Sequence, residues 1–262
     1  MSVSVAFGKA RAEGRAALVG YLPAGYPSVA GAVEAIRAMV RAGVDLVEVG
    51  LPYSDPVMDG PVIQQAVQAA LDGGVRTSDV LRTVEAVAGA GAPVVVMTYW
   101  NPVERYGVGA FARDLAAAGG AGMITPDLLP EEADQWLAAS DAHDLDRVFL
   151  VAPSSTDERL AMTLSHCRGF VYAAAVMGVT GAREQTSRVA PELVARVRAT
   201  GTRLPVGVGL GVRDGAQAAQ VACYADAVIV GSALVSALDR GSSDLVDLAA
   251  DLAAGLRGDP SS

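Results

Sequence analysis

The feature that most constrains this chain is an eightfold alternation of two kinds of segment. Short apolar runs, most rich in β-branched residues, occur at 16–22 (AALVGYL), 45–50 (DLVEVG), 93–99 (PVVVMTY) and 122–127 (GMITPD). They continue at 147–153 (RVFLVAP), 169–175 (GFVYAAA), 205–211 (PVGVGLG) and 226–233 (DAVIVGSA). Between them lie helix-periodic segments such as VAGAVEAIRAMVRAG, VIQQAVQAALDGG, GVGAFARDLAAAGG and APELVARVRATG, several ending in the glycine that commonly follows a helix. Strands alternating with helices imply right-handed crossovers and a parallel sheet. Eight such units in 262 residues most simply close into a (β/α)8 TIM barrel, which takes about 250 residues. A doubly wound open sheet is the alternative.

The first 22 residues read as an extra N-terminal amphipathic helix leading into the first strand, without the basic start and cleavage site of a signal peptide. No linker or low-complexity tract interrupts the chain. Residues 1–262 are therefore expected to form a single TIM-barrel domain, with a frayed tail at 256–262. Hydrophobic residues make up 52% and charged ones 19%, enough for a large core and unlike a disordered composition.

The net charge of −9, with no basic tract, argues against nucleic-acid and anionic-membrane partners. No run of about 18 apolar residues free of charges suggests a transmembrane helix. An anionic small substrate would have to be held locally, by backbone N–H groups and helix N-termini. Cys167 and Cys223 are far apart and form no CxxC, which fits a reducing cytoplasm.

In a barrel of this kind the chemistry sits at the C-terminal ends of the strands. The polar residues expected there are Glu48 and its loop, Tyr99, Asn101, Asp127, 153–156, Tyr172, 209–211 and 231–232. Glu48 shares one face of a strand with Leu46 and Gly50, opposite Asp45, Val47 and Val49. One reading is a carboxylate paired with an arginine or a backbone donor. The other is a shielded carboxyl whose pKa rises toward neutrality and so suits acid–base work. In the next loop Asp55 and Asp59 precede Pro and Gly, as turn-forming aspartates often do. Asp59 could equally stabilise a developing cation while Glu48 moves protons.

Glycine clusters at 178–182 (GVTGA), 207–212 (GVGLGV) and 229–233 (IVGSA) follow the sixth, seventh and eighth strands. Each alone reads as a tight turn. Together they suit a phosphate cradle, with SALVSAL supplying a short helix whose N-terminus faces the anion. GVGLGV lacks the spacing of a dinucleotide fingerprint.

Two scarcities narrow the mechanism. Lys9, the only lysine, precedes the first strand, so no barrel lysine is available for a Schiff base. His143 and His166, the only histidines, lie just upstream of strands, at the end of the barrel away from the expected site. They offer neither a zinc cluster nor a Ser–His–Asp triad. Proton transfer by carboxylates on a phosphate-bearing substrate remains.

The run VEVGLPYSDPVMDGPVIQQA closely resembles the motif of the tryptophan synthase α-subunit family. The resemblance extends to YLPAGYP, MTYWNP, GMITPDLLPEEA, GFVY…GVTGAR and ADAVIVGSALV, covering nearly the whole chain. It implies a (β/α)8 lyase that cleaves indole-3-glycerol phosphate to indole and glyceraldehyde 3-phosphate in tryptophan biosynthesis. It further implies no cofactor in this chain, and a β-subunit partner carrying pyridoxal phosphate in an α2β2 complex. By the same resemblance Glu48 is the general acid–base and Asp59 the carboxylate that holds the indole N–H. Tyr172 is an active-site tyrosine, and Gly181, Gly211, Gly231 and Ser232 bind phosphate. Thr180 lies in a loop that closes over the site, and Asp55 and Pro56 face the β subunit. The chain departs from the family at Ala175, where a serine is usual, and at Met58, where an alanine is usual. Those departures bear on the pocket, on loop closure and on the response to the partner. The other readings are a free-standing lyase, a phosphate-binding isomerase using two carboxylates, and a non-catalytic paralogue that activates a β partner.

Overall fold

All eight apolar runs become strands in the computed structural model, which describes residues 2–175 and 183–258. They are β1 (Ala17–Pro23), β2 (Leu46–Gly50), β3 (Val94–Met97), β4 (Gly122–Thr125), β5 (Asp146–Val151), β6 (Val171–Ala174), β7 (Val206–Gly209) and β8 (Ala227–Val230). Each pairs in parallel with the next and β8 returns to β1, which closes the barrel. Several runs extend past their strands because their last residues are polar loop heads rather than ladder members. Tyr99, for example, is already the N-cap of a helix.

The helices are α1 (Val3–Ala12), α2 (Val29–Ala42), α3 (Pro61–Asp72), α4 (Thr77–Val87), α5 (Trp100–Tyr106), α6 (Val108–Ala117), α7 (Asp134–Ala142), α8 (Asp157–His166), α9 (Arg183–Ala199), α10 (Gly215–Ala222), α11 (Ser232–Arg240) and α12 (Ser242–Arg257). Helix α2 shows how the sequence specifies them. Ser28 accepts the Gly31 N–H at the start, Gly43 turns left-handed at the end, and Ala32, Ala35, Ile36 and Met39 form the buried stripe. The β2–β3 and β3–β4 crossovers each hold two helices, and both α11 and α12 follow β8. Leu256 is buried in α12 rather than frayed, and that helix continues to Arg257. Among the described residues no helix is long and apolar enough to cross a membrane.

The core has two layers. One lies between the helices and the outer faces of the strands. The other fills the barrel with inward side chains, including Val19, Leu46, Val95, Ile124, Val148, Phe170 and Ile229. Helix α1 closes the lower end of this inner layer. Val3 and Phe7 pack into it, the rings of Phe7 and Phe170 lie 5.4 Å apart, and the Val3 N–H donates to Asp146 at 3.2 Å. Arg15, just after α1, grips Asp45 with two hydrogen bonds of 2.6 and 2.8 Å, and Asp45 also accepts the Leu18 N–H. His143 and His166 sit at the ends of α7 and α8, immediately before β5 and β6. The lower end of the barrel is thus sealed, and the open mouth is at the C-terminal strand ends.

If α1 is a structural plug, Phe7→Ala should cost about 3 kcal/mol by opening a cavity in the inner layer. Urea unfolding would check this. A loss below about 1 kcal/mol would mean that the barrel floor stands without the helix.

Candidate active site

The alternation in β2 turns Leu46 and Glu48 into the barrel, and Glu48 comes to rest at its upper end, 3% exposed. Its Oε2 has no hydrogen-bond partner among the described residues. The reading in which Glu48 is tied to an arginine or a backbone donor is therefore not what the structure displays. Desolvation first, and then the nearby charge of Asp59, push its carboxyl up to about 8.

Asp59 ends the loop from β2 and immediately precedes Gly60, the N-cap of α3. Burial raises its pKa, while the nearby Tyr99 hydroxyl acts in the opposite direction. Tyr99 also accepts the Met58 N–H at 3.0 Å, and the Gln64 side chain donates to the Asp59 carbonyl at 2.7 Å. The loop is thus tied on both sides of its carboxylate.

Tyr172 projects inward from β6, and burial raises its pKa far above that of a free phenol. Its hydroxyl occupies the place where a Cβ at Gly209 on β7 would stand, and Tyr21 sits over Gly50 in the same way. Both glycines are required for close approach rather than for backbone freedom. Gly211 has φ +79°, a left-handed conformation that favours glycine. Gly231 is the N-cap of α11 and Ser232 its first residue.

Glu48, Asp59, Tyr172, Gly211, Gly231 and Ser232 all line one cavity of about 800 Å³ at the barrel mouth. Its walls include Ile63, Met97, Ile124, Leu150 and Ile229, a surface suited to a flat apolar ring. Met58 reaches the same cavity while 48% exposed, and Ala175 is buried just past β6. Asp55 lies outside the cavity, exposed and bonded to Ser54 at 2.6 Å, with the half-buried Pro56 beside it. Thr180 and Gly181 lie outside the described residues.

Other rim residues are scaffolding. Asp127 accepts the Trp100 N–H at the start of α5, Asn101 donates to Tyr53, and Thr156 caps α8. Sequence reasoning missed Tyr21 and Arg213. Tyr21 was legible as the next inward position after Ala17 and Val19. Arg213, just beyond the glycines of β7, carried no periodic signal. Among the described residues no group of three His, Cys, Asp or Glu side chains could hold a metal ion.

Fold and site together define a class, a (β/α)8-barrel enzyme of the acid–base type with its cavity at the C-terminal strand ends. The family model described as tryptophan synthase alpha chain matches residues 7–256. The tryptophan synthase alpha chain of Salinispora arenicola is 67% identical over 97% of each chain. That of Mycobacterium tuberculosis is 65% identical over 96% of this chain and 93% of its own. A solved structure of M. tuberculosis tryptophan synthase superposes with a TM-score of 0.92 at 64% identity, covering 97% of this chain and 98% of that one. The Legionella pneumophila alpha chain gives 0.86 at 31% identity, over 100% of both chains. This chain belongs to the tryptophan synthase alpha chain family.

The raised value of Glu48 has a stability consequence whose sign can be worked out. Its folded value of about 8 exceeds the ordinary 4.5, so between those pH values the folded state holds the extra proton. Stability contributed by this group is full below the lower value and is lost as pH rises to the upper one. Glu48→Gln should remove that loss, so its urea midpoint should gain on the parent's between pH 6 and pH 8.5. A constant difference across that range would mean that Glu48 titrates as an ordinary surface glutamate.

Proposed function

We propose that residues 1–262, as one barrel domain, cleave indole-3-glycerol phosphate to indole and glyceraldehyde 3-phosphate, with Glu48 and Asp59 as the catalytic pair. The observation that carries this reading is the buried carboxyl of Glu48, its Oε2 without a partner among the described residues, in a cavity shared with Asp59 and the N-terminus of α11.

The carbon–carbon bond to indole C3 breaks only after C3 is protonated and the ring nitrogen becomes an iminium. Glu48, held protonated near neutral pH, delivers that proton to C3. The Asp59 carboxylate, fixed through Tyr99, stabilises the cation at the ring N–H. Glu48, now a carboxylate, takes the proton of the C3′ hydroxyl as the bond breaks and the aldehyde forms. Its proton is thereby restored, and the step balances without a cofactor. Pyridoxal phosphate belongs to the β partner's reaction. The apolar walls hold the indole ring, Tyr172 bounds the reacting end, and Gly211, Gly231 and Ser232 receive the phosphate. Gly181 and Thr180 belong to the same reading as phosphate-binding and closing residues outside the described segment.

The reading includes a β subunit, forming an α2β2 complex in tryptophan biosynthesis. A specific observation favours it over a free-standing lyase. Beside Asp55 and Pro56, Val57 is 77% exposed and Met58 48%, an apolar tip on the loop that carries Asp59. Contact there would reach the catalytic carboxylate directly.

Indole release by the purified chain, measured with and without a β subunit, tests the whole reading. Slow release that rises strongly on adding the partner is expected; fast release with no rise would make the chain a free-standing lyase. Glu48→Gln should lower turnover by about 10²–10⁴-fold or more, and Asp59→Asn should also lower it strongly. Near-normal turnover in the former would remove proton transfer from Glu48.

A further inference from the structure

Among the described residues, the lining of the active-site cavity holds two carboxyl groups, Glu48 and Asp59, and one cation, Arg213; with Glu48 keeping its proton, Asp59 carries the carboxylate charge there. The chain as a whole carries −9. A phosphate monoester entering such a cavity meets like charge both in the site and in the surrounding field. Backbone N–H groups and the α11 dipole offset part of that, since a helix N-terminus presents only about half a unit charge.

Arg213 is placed to supply the remainder. It stands two residues after Gly211, on the loop between β7 and α10, facing the cavity that Gly231 and Ser232 also line. Its main chain is pinned. The Arg213 N–H donates to the Gln217 side-chain oxygen at 3.0 Å, and the Gln217 N–H donates to the Asp214 carboxylate at 2.8 Å. Asp214 is occupied as the N-cap of α10. Among the described residues the Arg213 side chain makes no ion pair, whereas Arg15 and Arg196, for example, are engaged with carboxylates. A cation on a fixed loop, with its side chain exposed beside a glycine cradle, supplies the opposite charge that a tetrahedral dianion needs there.

We propose that Arg213 is a substrate-binding residue that gives this site its charge selectivity for a phosphate dianion, completing a cradle otherwise made of backbone and Ser232. The inference rests on the lyase reading above for the identity of the substrate, though not for the binding of phosphate. Because Arg213 is exposed, its contribution is screened by salt and acts on binding rather than on the reacting bond.

The test compares the parent chain with Arg213→Gln and Arg213→Lys, each assembled with a β subunit. It measures kcat and KM for indole-3-glycerol phosphate at low and high salt, and the inhibition constant of inorganic phosphate. Arg213→Gln should raise KM and the phosphate constant by about tenfold at low salt. Its kcat should stay within about twofold of the parent's, because the residue contributes binding rather than transition-state stabilisation. Its KM should also depend less on salt than the parent's, and Arg213→Lys should recover much of the loss. An unchanged KM and phosphate constant in an active Arg213→Gln chain would overturn the proposal. So would a fall in kcat alone, or a KM change that lysine does not rescue, since both indicate a structural role. If the parent bound phosphate through Arg213 but released no indole, the lyase reading would fall and the cradle would stand.

Discussion

Everything in the site depends on keeping the Glu48 carboxyl away from water. An ionised carboxylate in an apolar interior costs several kcal/mol unless it is paired, and Glu48 Oε2 has no partner among the described residues. The barrel provides the dry environment from below as well as from the sides. Inward side chains fill the lower layers, and Phe7 and Val3 of α1 plug the floor. Tyr21 and Tyr172 flank the upper layer, each fitted over a glycine on a neighbouring strand. The same dryness holds the proton on Glu48 near neutral pH, which is the state the proposed first step requires.

The proposed role of Asp59 is that of an anion. Burial raises its pKa as well, but its loop leaves it only half-buried and the Tyr99 hydroxyl acts against the rise. Two carboxyl groups share one cavity, and differing environments separate their roles. Tyr99 connects those environments. It is almost fully buried as the N-cap of α5 while its hydroxyl holds the Met58–Asp59 turn. A partner that shifts the exposed Val57–Met58 tip would act on that hydroxyl contact before reaching any reacting atom.

Charge sets a second constraint, on the substrate rather than the catalyst. An acidic chain with the Asp59 carboxylate in its cavity can accept a phosphate only through local donors. In the proposed reading the glycine backbone, the start of α11 and Arg213 supply them from β7 and β8, while Glu48 and Asp59 come from the β2 side. Tyr21 on β1 lies between the two regions and lines the cavity with both.

Strand order, barrel closure, the face that Glu48 shares with Leu46 and the glycine turns after β7 and β8 were all legible in the sequence. They follow from local periodicity: a two-residue alternation in strands, a helical repeat between them, and turn residues at the joins. The motif around Asp59 was also legible, as a resemblance. Helix α5 and its cap by Asp127 were not, because the donor and acceptor are 27 residues apart. The lack of a partner for Glu48 Oε2 among the described residues, the closeness of Asp59 to Tyr99 and the place of Arg213 on the cavity lining were equally hidden. Each depends on which side chains from distant strands meet after the ring closes, and desolvation is a property of that whole enclosure. Local pattern was enough to sort residues onto the faces of each strand. Closure of the ring then fixed which of them are dry, charged or within reach of one another, because burial and proximity are properties of the assembled enclosure.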